Sequence, residues 1–298
     1  MTNSKHHTGT VLPAMLDTYA FEALLKKTAR SFQLSLRILP PSIRPTLSLA
    51  YLLARASDTI ADASVAPAFQ RTALLRSLPE SFPETIPDLG LHGTDAELIS
   101  RLPSLLEALN SIPNADAVRD LWRVILEGQR FDVERFATGP DSVPSPPLTP
   151  EELNRYIGLV AGSVGEFWVR LCLHRLPDCA TLPLVELLPI ARQFGEALQL
   201  VNILRDRRRD ADAGRIYIPD ERFYIEMQRV RELLTAGDAF AAAMRPRNLR
   251  ASCLLPLDLA RQTLDLVASH PLGEHIKVSR YKVWIALGKA LLFPRTAS

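Results

Sequence analysis

The sequence has little of what marks several common protein classes. Its 298 residues include three cysteines, Cys172, Cys179 and Cys253, with no C-x-x-C pair. No disulfide framework is suggested, and a reduced, cytoplasmic setting is expected. The net charge is only +2, so there is no global bias toward nucleic acid, and any electrostatic function must be local. No run reaches the ~20 apolar residues that span a bilayer. The most apolar stretch near the end, Val283 to Phe293, is interrupted by Lys289; it suits a core helix, or a segment resting on a membrane surface. Met1 to Thr10 is polar and lacks the apolar core of a signal peptide; His6 and His7 read as tail rather than metal site. Alternating β-branched runs are missing, so no sizeable sheet is expected. No G-x-G-x-x-G follows a strand, and no solenoid repeat is visible.

What is present is helical periodicity. Apolar residues recur at three- and four-residue steps over Asp17–Arg37, Ser42–Ala63, Ala96–Leu109, Ala115–Phe136, Glu151–Leu173, Leu182–Asp206 and Leu254–Ser269. With 47% hydrophobic residues, these segments can bury a large core. Most prolines punctuate them; Pro103 and Pro189 fall inside two. Gly139 to Pro150 is the clearest loop. It ends in a helix start, with Thr149 as N-cap, Pro150 at the first helical position and Glu152 placed for a capping box. The expectation is an all-α protein, with a tail over 1–14 and one domain over 15–298, the loop lying inside that domain.

Two aspartate pairs share a four-residue spacing, Asp58 with Asp62 and Asp206 with Asp210. On a helix each pair sets two carboxylates on one face, where they repel unless a cation compensates. Oxygen ligands in pairs suit Mg²⁺, which keeps several waters and bridges carboxylates to substrate phosphates. Asp58 and Asp62 alone are equally compatible with a solvated helix face, although Leu52, Leu53, Ile60 and Ala61 make that helix mostly apolar. Arg55, three residues before Asp58, can share its face, and Arg30 and Ser31 add phosphate donors upstream. The second motif is more specific: Gln199, Asn202, Asp206 and Asp210 form one stripe. Gly214 then reads as the helix stop and Arg215 lies just beyond. Arg207, Arg208 and Arg209 suit a solvated basic face. In a third element, Gly158, Gly162 and Gly165 recur at helical spacing after Tyr156. That stripe allows close helix packing, room for an apolar tail, or both.

Together the three elements resemble the squalene/phytoene synthase family of head-to-head prenyl-diphosphate synthases, from about Arg30 to Pro219. The most specific parts are Asn-Ile-Leu-Arg-Asp-x-x-x-Asp followed by Gly-Arg-x-Tyr-x-Pro, and Tyr-x-x-x-Val-Ala-Gly-x-Val-Gly. The segment Arg55-Ala-x-Asp58-Thr-x-x-Asp62 is most similar to squalene synthases. The resemblance implies an all-α isoprenoid-synthase bundle with a central cavity. In it Asp58, Asp62, Asp206 and Asp210 would hold Mg²⁺, or Mn²⁺, against the diphosphates. Arg30, Ser31, Arg55, Asn202, Arg205 and Arg215 would bind diphosphate or its metal shell, and Phe32, Val160, Val164 and Gln199 would line the prenyl tunnels. Tyr156 matches a tyrosine that assists proton removal during cyclopropane formation. Lys277, Arg280 and Lys282 would contact NADPH.

The implied reaction joins two farnesyl diphosphates through presqualene diphosphate to squalene, with NADPH as reductant. Sister products of the same site are presqualene diphosphate itself, hydroxysqualene, dehydrosqualene and phytoene. A terpene cyclase shares the fold and metal logic but does not need the Tyr156 element, and a non-enzymatic relative would be expected to lose the aspartates. Squalene synthases often carry further acids where this chain has Ala61 and Arg209, which leaves the number of metal ions open. The resemblance also allows peripheral membrane contact for product release.

Overall fold

Thirteen α-helices and one π-helical turn account for most of the chain in a computed structural model that describes residues 19–29, 32–63, 65–137, 145–270 and 278–292. The tail over 1–14 lies outside the described residues. The helices are α1 (Tyr19–Ala29), α2 (Phe32–Arg37), α3 (Arg44–Asp62), α4 (Ala68–Ser77), α5 (Gly93–Ser100), α6 (Leu102–Ser111) and α7 (Ala115–Arg135). After the loop come α8 (Pro150–Ile157), the π turn (Gly158–Gly162), α9 (Ser163–Arg175), α10 (Leu184–Asp212), α11 (Phe223–Ala243), α12 (Arg247–Ser269) and α13 (Arg280–Leu292). Among the described residues the only extended pairing is an isolated bridge between Ala180 and Met244. The protein is all-α.

Helix α3 is fastened on its buried side. Leu49, Leu52, Leu53, Ala56 and Ile60 are fully buried. The indole of Trp122 on α7 donates to the Ser57 hydroxyl at 3.1 Å, and Gln129 Nε2 donates to the Ala54 carbonyl at 3.3 Å. Its C-terminal carbonyls would otherwise lack partners. Arg71 of α4 meets one of them, donating to the Ala61 carbonyl, and also holds the Ala66 carbonyl in the connection that follows. These contacts set the rotation of the helix that carries the first aspartate pair.

The capping box forms as the sequence implies: Glu152 N–H donates to Thr149 Oγ1 at 3.2 Å, and Thr149 N–H donates to Glu152 Oε2 at 2.9 Å. From there the helix runs to Arg175, long and apolar enough by length and composition to cross a membrane. Packing assigns it to the bundle instead, because its three glycines all face α10: Gly158 and Gly162 meet the side chains of Arg192 and Glu196, and Gly165 meets backbone. A Cβ on Gly165 would stand 2.1 Å from the Ala191 carbonyl oxygen, and one on Gly195 would stand 2.3 Å from that of Ala161. The glycine stripe is therefore close packing, and α10 fills the groove it leaves.

Pro103 splits the segment expected over Ala96–Leu109 into α5 and α6, meeting at Arg101. Pro189 is carried inside α10, close to its start, where Val185, the residue four before it, is 76% exposed. Helix α12 begins at Arg247, earlier than Leu254, because Pro246 supplies the start. Helices α4 and α11 are additions; in α11 the buried spacing Phe223, Met227, Val230, Leu234 is a helical signal. Helix α13 is only half a core helix. Ala286 and Ala290 are buried, whereas Tyr281, Trp284 and Ile285 are exposed.

Candidate active site

Helix α10 ends in a Schellman motif, and that turn places the key arginine. Gly214, at φ 79°, donates its N–H to the Ala211 carbonyl at 2.9 Å, and Arg215 N–H donates to the Asp210 carbonyl at 2.7 Å. The chain reverses, and the Arg215 side chain reaches α3. Its Nη1 lies 2.5 Å from Asp62 Oδ1 and its Nη2 3.6 Å from Asp210 Oδ1. One guanidinium thus ties the two aspartate motifs together.

Each of the other motif aspartates also has an arginine. Asp58 Oδ2 is 2.6 Å from Arg55 Nη1, and Arg55 Nη2 reaches Asp95 on α5 at 3.2 Å. Asp206 receives both forks of Arg205, at 3.0 and 2.6 Å. Arg209 stands 3.4 Å from both Asp206 and Asp210. Gln199 and Asn202 precede Asp206 on the same helix, half-buried and exposed respectively. Val160, in the π turn, packs over Gly128 of α7, and Val164 is half-buried against the core. Such π turns inside helices are frequent at functional sites.

Behind the aspartates lies a buried aromatic group. Tyr217 donates its hydroxyl to Asp132 Oδ1 on α7 at 2.5 Å. Its ring stacks on Tyr156 with centroids 5.4 Å apart and meets Phe136 edge-on at 5.2 Å. The loop before α8 is pinned alongside, since Leu148 N–H donates to the Ile216 carbonyl and Arg135 bonds Glu152 and the carbonyls of Pro146 and Pro147.

The charges strain against this packing. Loss of water and then repulsion from Asp62 push Asp58 up to about 6, against the pull of Arg55. Asp132 is pushed up to about 7 by burial, opposed by the Tyr217 hydrogen bond and Arg215. Burial likewise raises Asp210. Tyr156 is held well above an ordinary phenol by burial and then by the charge of Asp132. A carboxylate disfavoured by its neighbours gains from a cation.

The donor set fits Mg²⁺. Among the described residues no three His, Cys, Asp or Glu side chains converge as an all-protein cage. Paired carboxylates with room for water and phosphate are the arrangement this ion favours. The Arg215 Nε is buried without a hydrogen-bond partner, a donor left over for an anion.

A family model for squalene/phytoene synthases matches residues 25–226. The chain belongs to the squalene/phytoene synthase family. It is 29% identical over 283 residues to a bifunctional lycopene cyclase/phytoene synthase of Colletotrichum graminicola, covering 91% of this chain and 46% of that protein. It is 30% identical over 191 residues to a presqualene diphosphate synthase of Rhodopseudomonas palustris, covering 64% of this chain and 58% of that one. The chain spans about half the length of the curated relatives it matches. The fold is similar to that of TcSQS solved with the ligand E5700, at a TM-score of 0.74 and 18% identity, over 91% of this chain and 85% of that one.

In this member of the family the structure brings together Arg55, Asp58, Asp62, Asp210, Arg215 and, through Tyr217, Tyr156. Arg30, Ser31 and Lys277 lie outside the described residues, as do the side chains of Phe32 and Arg280. Lys282 is exposed on α13, which packs on α12. Of the basic run, Arg208 and Arg209 are exposed, but Arg207 is pinned by Asp220 and sits 4.6 Å over the Phe223 ring. Asp95 and Asp132 are additions. Asp132 was legible in principle: the buried stripe Val118, Trp122, Ile125, Gln129, Asp132 steps four, three, four, three, and its last two members are polar.

Proposed function

We propose that this protein condenses two farnesyl diphosphates head to head to presqualene diphosphate, which NADPH then reduces to squalene. The observation that carries this reading is the Asp62–Arg215–Asp210 tie, which holds two acidic motifs at one place with cations interleaved. Acids alone would suit a metal and arginines alone an anion; the alternation suits a metal-bound diphosphate.

The arginines act as movable counter-charges. Arg55, Arg205 and Arg215 pair with Asp58, Asp206 and Asp62. Asp58, Asp62, Asp206 and Asp210 would hold the divalent cation, which supplies Lewis-acid charge at the leaving diphosphate when bound. The guanidinium forks of Arg55, Arg205 and Arg215 would meet diphosphate oxygens, for which Arg is better shaped than Lys. Val160 and Val164 offer apolar surface to the prenyl chain, shielding the allylic cation from water. Tyr156 stands behind the motifs to assist proton removal. Of the residues expected to meet NADPH only the Lys282 side chain is described. An exposed lysine by itself makes no nucleotide site, and the hydride step rests on the family resemblance.

A second reading ends the reaction at presqualene diphosphate, and the similarity to the Rhodopseudomonas palustris protein favours it. Either product is a long hydrocarbon or its diphosphate, and a membrane is the natural acceptor. Helix α13 supports a peripheral contact at the cytoplasmic face of a membrane, because it exposes Tyr281, Trp284 and Ile285 beside Lys282 and Lys289.

The test is incubation of purified protein with farnesyl diphosphate and Mg²⁺, with and without NADPH, followed by mass analysis of the lipid extract. Squalene formed only with NADPH supports the full reading. Presqualene diphosphate under both conditions selects the second reading, and no turnover of farnesyl or geranylgeranyl diphosphate sinks both.

A further inference from the structure

Asp132 is the acid that the functional reading leaves without a role. Only 7% of it is exposed, it sits one helix away from the aspartate motifs, and it is not part of either pair. An isolated buried carboxylate is costly unless something specific engages it. Here that partner is one hydroxyl, Tyr217 at 2.5 Å, a length typical of a charge-assisted O–H···O⁻ bond. The Tyr217 ring in turn lies nearly parallel to Tyr156, at 24°. Phe136 closes the other side of Tyr217. The result is a row, Tyr156, Tyr217, Asp132, running from the motifs into the interior.

We propose that Asp132 is a positioning residue for the condensation, holding Tyr217 against Tyr156 and taking up, through these two phenols, the proton the reaction releases. The inference rests on the head-to-head reading above. In that chemistry one substrate C–H bond breaks, and its electron pair closes the cyclopropane carbon–carbon bond. The proton passes to the Tyr156 oxygen, the Tyr156 phenolic proton to Tyr217, and the Tyr217 proton to the Asp132 carboxylate. Nothing is oxidised or reduced.

Tyr156 cannot do this alone. Burial, then the charge of Asp132, keeps its phenol protonated at neutral pH, so it can accept a proton only by giving one up. Asp132 is the group behind it able to receive one. The charged groups facing Asp132 are Asp58 and Asp62 on α3, Arg71 on α4 and Arg215 after α10, with Tyr156 on α8 completing the surround. Arg215 and Arg71 offset the two acids, so the carboxylate is neither stripped of charge nor locked into it.

The experiment compares wild type with Asp132→Asn, Tyr217→Phe and the double variant, measuring kcat and KM for farnesyl diphosphate alongside thermal unfolding. Both replacements keep size and shape; each removes one proton-carrying position. The expected result is a fall in kcat of roughly 10²-fold or more in each single variant. KM should stay near the wild-type value, and the double variant should be no slower than the slower single, because residues acting as one unit are not additive. A kcat close to wild type in either single variant overturns the inference. So does a loss appearing mainly in KM, or losses that multiply in the double variant. Should Asp132→Asn fail to fold, Tyr217→Phe carries the same test, since it keeps the stacked ring. Wild-type protein inactive on prenyl diphosphates would overturn the functional reading itself; an active wild type with unaffected variants overturns only the role of Asp132.

Discussion

Asp62 and Arg215 lie 153 positions apart in sequence and 2.5 Å apart in space. The contact joins the last residue of α3 to the first residue beyond the α10 turn. It depends on Gly214, whose φ of 79° lets the backbone reverse at that point. The arginine is half-buried between the two motifs, and its remaining donors face Asp210 or have no partner.

Replacement of Arg215 by Lys should therefore remove more than a charge. An ammonium cannot span Asp62 and Asp210 and still direct a donor to a diphosphate. We expect kcat/KM to drop roughly 10²-fold, by analogy with loss of one preorganised charge-stabilising donor. Steady-state kinetics with farnesyl diphosphate reads this directly, and a Lys variant as active as wild type would contradict the bridging role.

Inorganic diphosphate with Mg²⁺ should raise the unfolding temperature of wild type, and neither component alone should match the pair. A ligand at 100 times its Kd adds about 2.7 kcal/mol to stability, enough for a clear shift. Asp58→Asn and Asp206→Asn should lose most of that shift and most turnover, and a chelator should abolish it in wild type. Differential scanning fluorimetry decides; a full shift in either variant would remove that aspartate from the metal site.

Stability should carry a signature of Asp132. Its pKa rises from the ordinary carboxylate range to about 7 on folding, so the folded state binds the proton more tightly than the unfolded one. The associated stability is fully present below about pH 4 and is lost as pH rises through 7. Three units correspond to roughly 4 kcal/mol at most. Asp132→Asn cannot titrate, so its unfolding temperature relative to wild type should climb between pH 5 and pH 8. A constant difference across that range would show that burial does not hold the carboxyl up.

Gly165→Ala tests the packing of the glycine stripe. The new Cβ would stand 2.1 Å from the Ala191 carbonyl oxygen, and backbone cannot step aside as a flexible side chain can. Overpacking of this kind costs about 1–3 kcal/mol, read as a lower unfolding midpoint in denaturant. A variant as stable as wild type would mean α9 and α10 have slack. Gly93→Ala meets no atom within 4 Å but has a φ of 59°, so its cost comes from the backbone alone and serves as a comparison.

How much of this was legible varies from residue to residue. Asp58, Asp62, Asp206 and Asp210 announced themselves because a four-residue spacing is a property of one helix, and one helix is local. The Thr149 capping box and the Gly214 stop were readable for the same reason. The glycines were visible, but whether they made room for a substrate or for another helix was not. That answer belongs to Ala191 and Ala161, which sit on different segments of chain. Asp132 lay in plain view on the buried register of α7. Its partner, Tyr217, is 85 residues away and could not be assigned from spacing.

The sequence by itself determined the helices, the two acidic pairs and the chemistry those pairs invite, since periodicity, caps and like-charge spacing act over a turn or two of chain. The tertiary structure alone decided which arginine answers which aspartate, that α10 fills the glycine groove, and that a buried acid stands behind Tyr156. Those are contacts between helices. Their strength comes from loss of water and close packing, which arise only when distant segments of chain meet.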